Sequence, residues 1–425
     1  MKKCVKGLLA AAAMLGVVAA APALAIDFKA GAWDLSLTGN VNAFATYTVC
    51  GVSNDTVAAS IACTKAKDAP NTFAIESGLL PSAFVFTGKT RAYDLDVSAT
   101  IGLYPGLHVA DTPSGNGPGT GQGTFSMDVR QAFLTFGDKS WGTVKLGKDL
   151  GLFASDVILS DMTLLGVGCG TAGAQVRNHN VTIGHIGTGY IYADWIPQVA
   201  YISPKFGGLQ VSVAAIEAFQ MQTDLNQTLS PVNITQKTNQ TPAAQAKVTY
   251  DFGGPYAGRF WLGGFYQNTK ASAPPTNPSL DSYAGEAGIK GNAGGLGAMA
   301  YGYAGKGIGT ILIGTLAAAG PNAAGDGFEG RNSYGWLGQL TYQIPGTKLR
   351  PGVSWGMSYL GQAGIGANAD PNVLVHWNAM GTAALFYAAT DTLTLVAEYD
   401  HQRSRSWAGG TANSNSFALG GILFF

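Results

Sequence analysis

The chain reads as an all-β protein, a transmembrane antiparallel β-barrel of about sixteen strands. Three observations predict this. The 425 residues open on a basic and then apolar leader of the export type. Charged residues are 12% of the chain, about half the usual share of roughly a quarter, yet no run of ~18 apolar residues follows the leader to cross a membrane as a helix. The last nine residues, Phe417 to Phe425, place Phe417, Leu419, Leu423 and Phe425 on one face of a strand that ends where the chain ends. Lipid offers no partner to an open sheet edge, so a closed ring satisfies all three.

In the leader, Lys2, Lys3 and Lys6 form the basic start, an Ala/Leu/Val-rich stretch runs from Gly7 to about Ala21, and Ala23-Leu24-Ala25 supplies the small residues of a cleavage site. Residues 1–25 are therefore expected to be a cleaved signal peptide, leaving one barrel domain over 26–425. Cys4 lies too early to be a lipid-attachment cysteine. Removing the three lysines leaves 22 basic against 25 acidic residues, a formal charge of −3. That argues against a nucleic-acid partner, which requires a clustered basic surface.

Cys50 and Cys63 lie thirteen apart in a polar loop. They could close a disulfide in an oxidising compartment or remain free thiols. Cys169 has no partner in the sequence. None of the three has the short paired spacing of a zinc site, and no metal or cofactor is expected.

A membrane strand needs about nine to eleven residues alternating lipid-facing apolar with lumen-facing polar groups. From Trp33 to Thr48, Leu35, Leu37, Val41, Ala43, Ala45 and Tyr47 share one parity and Ser36, Thr38, Asn40, Asn42, Thr46 and Thr48 the other; Phe44 is the one misfit. Leu95–Tyr104, Ala244–Phe252 and Leu393–Asp400 repeat the pattern. Charged residues on the second face (Lys247, Asp251, Glu398, Asp400) suit a wet channel rather than a dry core. The segments near 125–136, 195–203 and 259–267 leave their phase open.

Connections alternate in length. Short ones fall near 89–94, 137–142, 204–208, 253–258, 291–295, 343–348 and 388–391. Long ones fall near 49–72, 105–123, 150–190, 217–242, 268–281, 304–332, 360–371 and 402–413. Seven short turns and eight long loops separate sixteen strands, and a ring of that size encloses an aqueous channel. Trp33, Tyr47, Tyr104, Trp195, Tyr201, Tyr250, Trp355, Tyr359, Tyr387, Tyr399 and Phe425 are candidates for the aromatic girdles at the membrane interfaces.

Two stretches carry more specific information. Asp128-Val-Arg-Gln-Ala-Phe-Leu-Thr-Phe-Gly137 and Gly142-Thr-Val-Lys-Leu-Gly-Lys-Asp149 form a hairpin followed by the longest connection. Tyr201-Ile-Ser-Pro-Lys-Phe-Gly-Gly-Leu209 forms another turn. Here the chain resembles the Gram-negative general porins. The resemblance implies a sixteen-stranded, usually homotrimeric, barrel in the outer membrane, with its third outer loop (about 150–190) folded into the pore. It further implies a basic wall of Arg130, Lys145 and Lys148 facing loop acids Asp149, Asp156 and Asp161, and a terminal Phe425 that resembles the signal read by the barrel-assembly machinery. Lys145 has lumen parity, whereas Lys148 has the opposite parity and must lie at or beyond the strand end. A Pro-Glu-Phe-Gly tetrapeptide common at that loop's tip is absent, and Leu164 to Gly170 is apolar and glycine-rich instead.

The expected function is passive diffusion of small hydrophilic solutes and ions through a water-filled channel, without a catalysed step. Opposite charges across a narrow gap would set a transverse field that biases entry. A solute-selective channel for an anion or a sugar is the alternative; an enzyme or an adhesin on the same shell ranks below it. His179 and His185 read as solvated or packing histidines. Gly302 to Gly309 lacks the ending of a phosphate loop and reads as a flexible outer loop.

Overall fold

The computed structural model describes residues 25–52, 57–65, 71–107, 127–170, 181–219, 221, 241–270, 279–314, 317–324, 327–364 and 372–425. The leader up to residue 24, with Ala23, lies outside these, as does His179; Ala25 is the first described residue.

Sixteen long strands form the wall. In chain order they are β1 (Trp33–Val52), β2 (Ala83–Ala92), β3 (Leu95–Pro105), β4 (Met127–Asp138), β5 (Gly142–Leu150) and β6 (Trp195–Ile202). Then come β7 (Leu209–Ile216), β8 (Ala243–Phe252), β9 (Ala257–Lys270), β10 (Ser279–Ala293) and β11 (Leu296–Lys306). The last five are β12 (Asn332–Tyr342), β13 (Leu349–Leu360), β14 (Val375–Ala388), β15 (Leu393–Ser406) and β16 (Thr411–Phe424). Each pairs antiparallel with its neighbour, and β16 returns to β1 with Asn40 opposite Phe424 and Tyr47 opposite Phe417. Phe425 seals the seam, its N–H donating to Gly39 O at 3.0 Å and its carbonyl accepting from Gly39 N at 2.8 Å. The short strands Ile26–Ala30 and Thr72–Glu76 extend the sheet along β1.

Turn chemistry explains the tight ends. Tyr93 and Asp94 (φ 48° and 64°) and Gly294 and Gly295 (φ 55° and 87°) have positive φ at both central positions, the turn whose twist matches a two-residue hairpin. At the outer end the last connection is short, Trp407 to Gly410, because β15 and β16 continue well beyond the expected edge. Ser404, Ser406, Ser414 and Ser416 keep the inward alternation going there. The stretch 302–309 is likewise not a loop throughout: β11 runs to Lys306.

One wall strand is interrupted. After Thr72–Glu76 pairs with Phe44–Thr48, the chain leaves the wall at Ser77 and rejoins as β2 at Ala83. Asn42 holds the excursion, donating to Leu80 O at 2.8 Å and accepting from Gly78 N at 2.9 Å. Asn40 donates to Pro81 O at 3.0 Å. Phase is ambiguous near 125–136 for a concrete reason. The β3–β4 register slips between Gly102 and Leu103, leaving Arg130 as an extra residue.

The interior departs from an entirely wet lumen. Segments 57–62, 151–170, 181–193, 307–314 and 317–319 fold inward and bury Ile61, Phe153, Val157, Ile186, Ile308 and Ile313 against Trp261, Phe265 and Leu337 of the wall. Apolar residues in outer loops leave water this way, by burial inside the ring instead of outside it. Phe44, the misfit of β1, packs on Met162, Leu165 and Val167 of the same inward mass. Cys50 and Cys63 are disulfide-bonded, tying the segment that carries Ile61 to the wall, while Cys169 is a buried free thiol.

Candidate functional site

The loop after β5, described over 151–170 and 181–194, follows the inner wall. Ala154 takes a left-handed turn (φ 63°) into the short helix Ser155–Ile158, and Asp161 caps the 3-10 turn Met162–Leu165 by accepting from Thr163 N at 2.9 Å. Inward polar side chains of the wall supply what the irregular backbone lacks. Gln245 Oε1 on β8 accepts from Leu152 N at 2.6 Å and Phe153 N at 3.1 Å. Glu286 Oε1 on β10 accepts from Ala154 N at 3.0 Å. Gln339 on β12 accepts from Met162 N at 2.6 Å and donates to Ser160 O at 3.0 Å. Glu398 Oε1 on β15 accepts from Val167 N at 2.9 Å and Gly168 N at 2.5 Å. Each hydrogen bond is worth about 0.5–1.5 kcal/mol net, and together they hold the loop along half the ring.

One loop acid reaches wall cations. Asp156 lies 2.7 Å from Lys247 Nζ on β8 and 2.9 Å from Arg259 NH1 on β9. Arg259 also pairs with Asp251 at 2.6 Å, which in turn binds Lys205 at 2.6 Å. Burial pushes the Asp156 carboxyl up, and Lys247 and Arg259 beside it more than offset that, holding it below the usual carboxylate range. Lys290 and Arg350 occupy inward positions on β10 and β13. Arg350 lies 4.8 Å from the Phe386 ring and has no acidic partner among the described residues.

The six charged positions expected at the constriction separate. Lys145 turns inward but pairs with Asp149 four residues on, and Gln131 donates to the same carboxylate at 3.0 Å. Asp149 is therefore a wall residue beside Lys145, not an acid facing it: both have the same parity of one strand. Arg130 turns inward at the bulge, 2.9 Å from Asp128 and over the Tyr104 ring at 5.5 Å. Lys148 sits inside β5 opposite Ala132, with the parity of Val144 and Leu146, and donates to Val129 O at 2.9 Å. It belongs to the outer face and not to the basic wall. Asp161 is wholly buried, accepting from Tyr190 OH at 2.8 Å and His185 N at 3.2 Å. It organises the loop's own fold and does not face a channel. Asp156 alone stands where a loop acid meets wall cations.

One smaller expectation changes, for Tyr104, and another narrows, His185 being of the packing kind. Tyr104 faces inward, donating to Gln131 Oε1 at 2.6 Å, and is no girdle residue. His185 is packed inside with Nε2 2.7 Å from Ser354 Oγ, and burial lowers its pKa. The anchors Gln245, Glu286 and Gln339 escaped sequence reading. Their inward parity was visible, but their partners are backbone groups of a loop distant in sequence.

A family model described as Gram-negative porin matches residues 9–406. No curated protein sequence matches the chain. Among solved structures, the outer membrane channel DcaP of Acinetobacter baumannii is similar at 18% identity and a TM-score of 0.65, covering 94% of this chain and 99% of its own. OmpF of Salmonella typhi, solved with daunomycin, is similar at 14% identity and a TM-score of 0.55, covering 94% and 100%. The trimer form of Vibrio cholerae OmpT is similar at 13% identity and a TM-score of 0.51, covering 93% and 100%.

Proposed function

The chain belongs to the Gram-negative porins, and from that premise we propose how its channel is filtered. It is an outer-membrane porin, a barrel for passive diffusion of small hydrophilic solutes and ions. The filter is the stretch of lumen beside Asp156, where the inward loop meets Lys247 and Arg259 of the wall in direct opposite-charge contact. Charges held in a partly dehydrated gap act on a permeant more strongly than charges in bulk water. No chemical step is assigned to the protein.

The lumen face of β8–β13 carries Lys247, Arg259, Lys290 and Arg350 against Asp251 and Glu286, with Asp156 added by the loop. That surplus favours the anion-preferring version of the channel over the sugar-selective one. Planar-bilayer conductance under a salt gradient tests both statements. A stepwise conductance with a reversal potential on the anion side is expected; absence of any conductance rejects the channel, and a cation-side potential rejects the filter.

The subunits form a homotrimer, as the trimer form of the OmpT relative suggests; sedimentation of the detergent-solubilised protein checks it. Residues 1–25 are removed on export, and an intact mass starting at Ile26 checks that. Phe425, bound into the seam, is the terminal group offered to the assembly machinery, so Phe425→Ala should lower the yield of folded barrel in the outer membrane.

A further inference from the structure

Glu398 and Asp400 are successive inward positions of β15, and both are buried. Side chains two apart on a strand share a face, so two carboxyl groups meet inside the wall. Their cross-strand neighbours are Ala384 and Ala418 for Glu398, and Thr382 and Ser416 for Asp400. Glu398 Oε1 is taken by the loop's Val167 and Gly168 N–H groups, and Asp400 Oδ1 accepts from Thr382 Oγ1 at 2.6 Å. The two oxygens left over, Glu398 Oε2 and Asp400 Oδ2, are buried and have no donor, while the two carboxyl groups lie within hydrogen-bond reach of each other. The loop closes over them at Gly166, where a Cβ would collide with Glu398 Oε2.

The surroundings supply no positive charge. Asp161 of the loop acts on both groups, and its own charge is held by three donors, Thr163 N, Tyr190 OH and His185 N. Cys169 of the loop lies near Asp400, with Glu76 of the strand Thr72–Glu76 beyond it. His185 Nε2 reaches Thr382 Oγ1 at 3.5 Å, and burial disfavours a charge on that ring. No lysine or arginine forms an ion pair with Asp161, Glu398 or Asp400 among the described residues. Two carboxylates in contact cannot both stay ionised in such a place. One proton between Oε2 and Oδ2 gives each oxygen a partner and removes one of the two buried charges.

We propose that Asp400 is a positioning residue of the pore loop, acting through Glu398 by way of a proton that the two carboxyl groups share. With the proton in place Glu398 is fixed, and so are the backbone N–H groups it accepts. Losing it leaves two negative charges face to face beneath Gly166, and Glu398 can swing away only by releasing Val167 and Gly168. Docking of the loop tip is therefore complete while the pair holds its proton, and is lost as pH rises through the titration of the pair. The direction is opposite to that of Asp156, whose contribution is lost in acid. The inference rests on the channel reading but not on the filter at Asp156.

The test records single-channel current noise of the full folded chain in planar bilayers from about pH 7 to about pH 10, where wild type should show a reversible rise of at least about twofold as the shared proton is lost. Asp400→Asn and Glu398→Gln each place an amide N–H donor where the proton stood, and neither can lose it. Both variants should be as quiet as wild type at pH 7 and stay quiet in alkali, although every other titratable group is unchanged. A wild type without the rise, or variants that rise as much as wild type, overturns the proposal. Variants already noisy at pH 7 overturn it too, because the pair is then held by its full charge. Noise that a metal chelator provokes in wild type at pH 7 puts a bound cation in place of the proton, with the same consequence. Infrared spectroscopy of the wild-type protein decides the case without variants and without conductance, so its result is separable from the channel reading. The carbonyl band of a buried protonated carboxyl group should be present at pH 7 and vanish in alkali; its absence at pH 7 overturns the shared proton.

Discussion

Asp156 and Lys247 meet at 2.7 Å inside the ring, one carried by a loop and the other by the wall. The pair does two things at once. It pins the loop's helix to β8, and it masks charge that would otherwise face the permeant.

Asp156→Asn should therefore expose the charge of Lys247 and Arg259. The reversal potential under a salt gradient is expected to move toward anion preference. Breaking a buried pair costs about 3–5 kcal/mol, so the folded barrel should also lose heat resistance on gels. An unchanged potential removes Asp156 from the ion path.

The pH response has a defined sign. Asp156 is held below the usual carboxylate range, so its stabilising contribution is complete above the unfolded value of about 3.9 and is lost as pH falls through the lower folded value. Ion selectivity should stay flat from pH 7 down to about 4 and turn more anionic only below that. A shift already present between pH 7 and 5 would show that a different group sets it.

Neutralising an inward cation and an outward one should have different effects on selectivity. Arg350→Gln, inward and without an acidic partner among the described residues, is expected to move the reversal potential toward cations. Lys148→Gln, on the outer parity, should leave it where it was. If Lys148→Gln shifts the potential as far as Arg350→Gln does, the inside–outside assignment of β5 is wrong.

Glu398 anchors the loop tip through two backbone N–H groups. Glu398→Ala removes both acceptor contacts, about 1–3 kcal/mol together at the usual net value per bond. Noisier and larger single-channel currents should follow. Glu398→Gln keeps an Oε1 acceptor and should stay near wild type; equal behaviour of the two variants would mean that the tip is held by its apolar packing alone.

Reducing the Cys50–Cys63 disulfide frees the segment that buries Ile61. Closing a loop of this size is worth roughly 3 kcal/mol. Conductance should rise on adding reductant, and Cys50→Ser/Cys63→Ser should show the higher value without it. Thiol labelling gives an independent count. The denatured chain starting at Ile26 should take one label, on Cys169, before reduction and three after.

The amino-acid sequence by itself determined the barrel, its strand count and, in the strands with a clear alternation, which face meets lipid. Those properties follow from a period of two that lipid on one side and polar groups on the other impose on each strand separately. Leu35 to Thr48 and Leu393 to Asp400 show it without any knowledge of their neighbours. Even Phe44 announced itself as an exception to the alternation. Only the tertiary structure decided the interior. Whether Asp156 meets Lys247 or open water, and whether Glu398 faces a channel or holds a loop backbone, depends on where a loop of some forty residues is laid against strands 90 to 240 positions away. The path of that loop is written in no local period. It is set by hydrogen bonds from Gln245, Glu286, Gln339 and Glu398 to its backbone and by the burial of apolar residues from three loops at once, and these are many-body properties that exist only once the ring has closed.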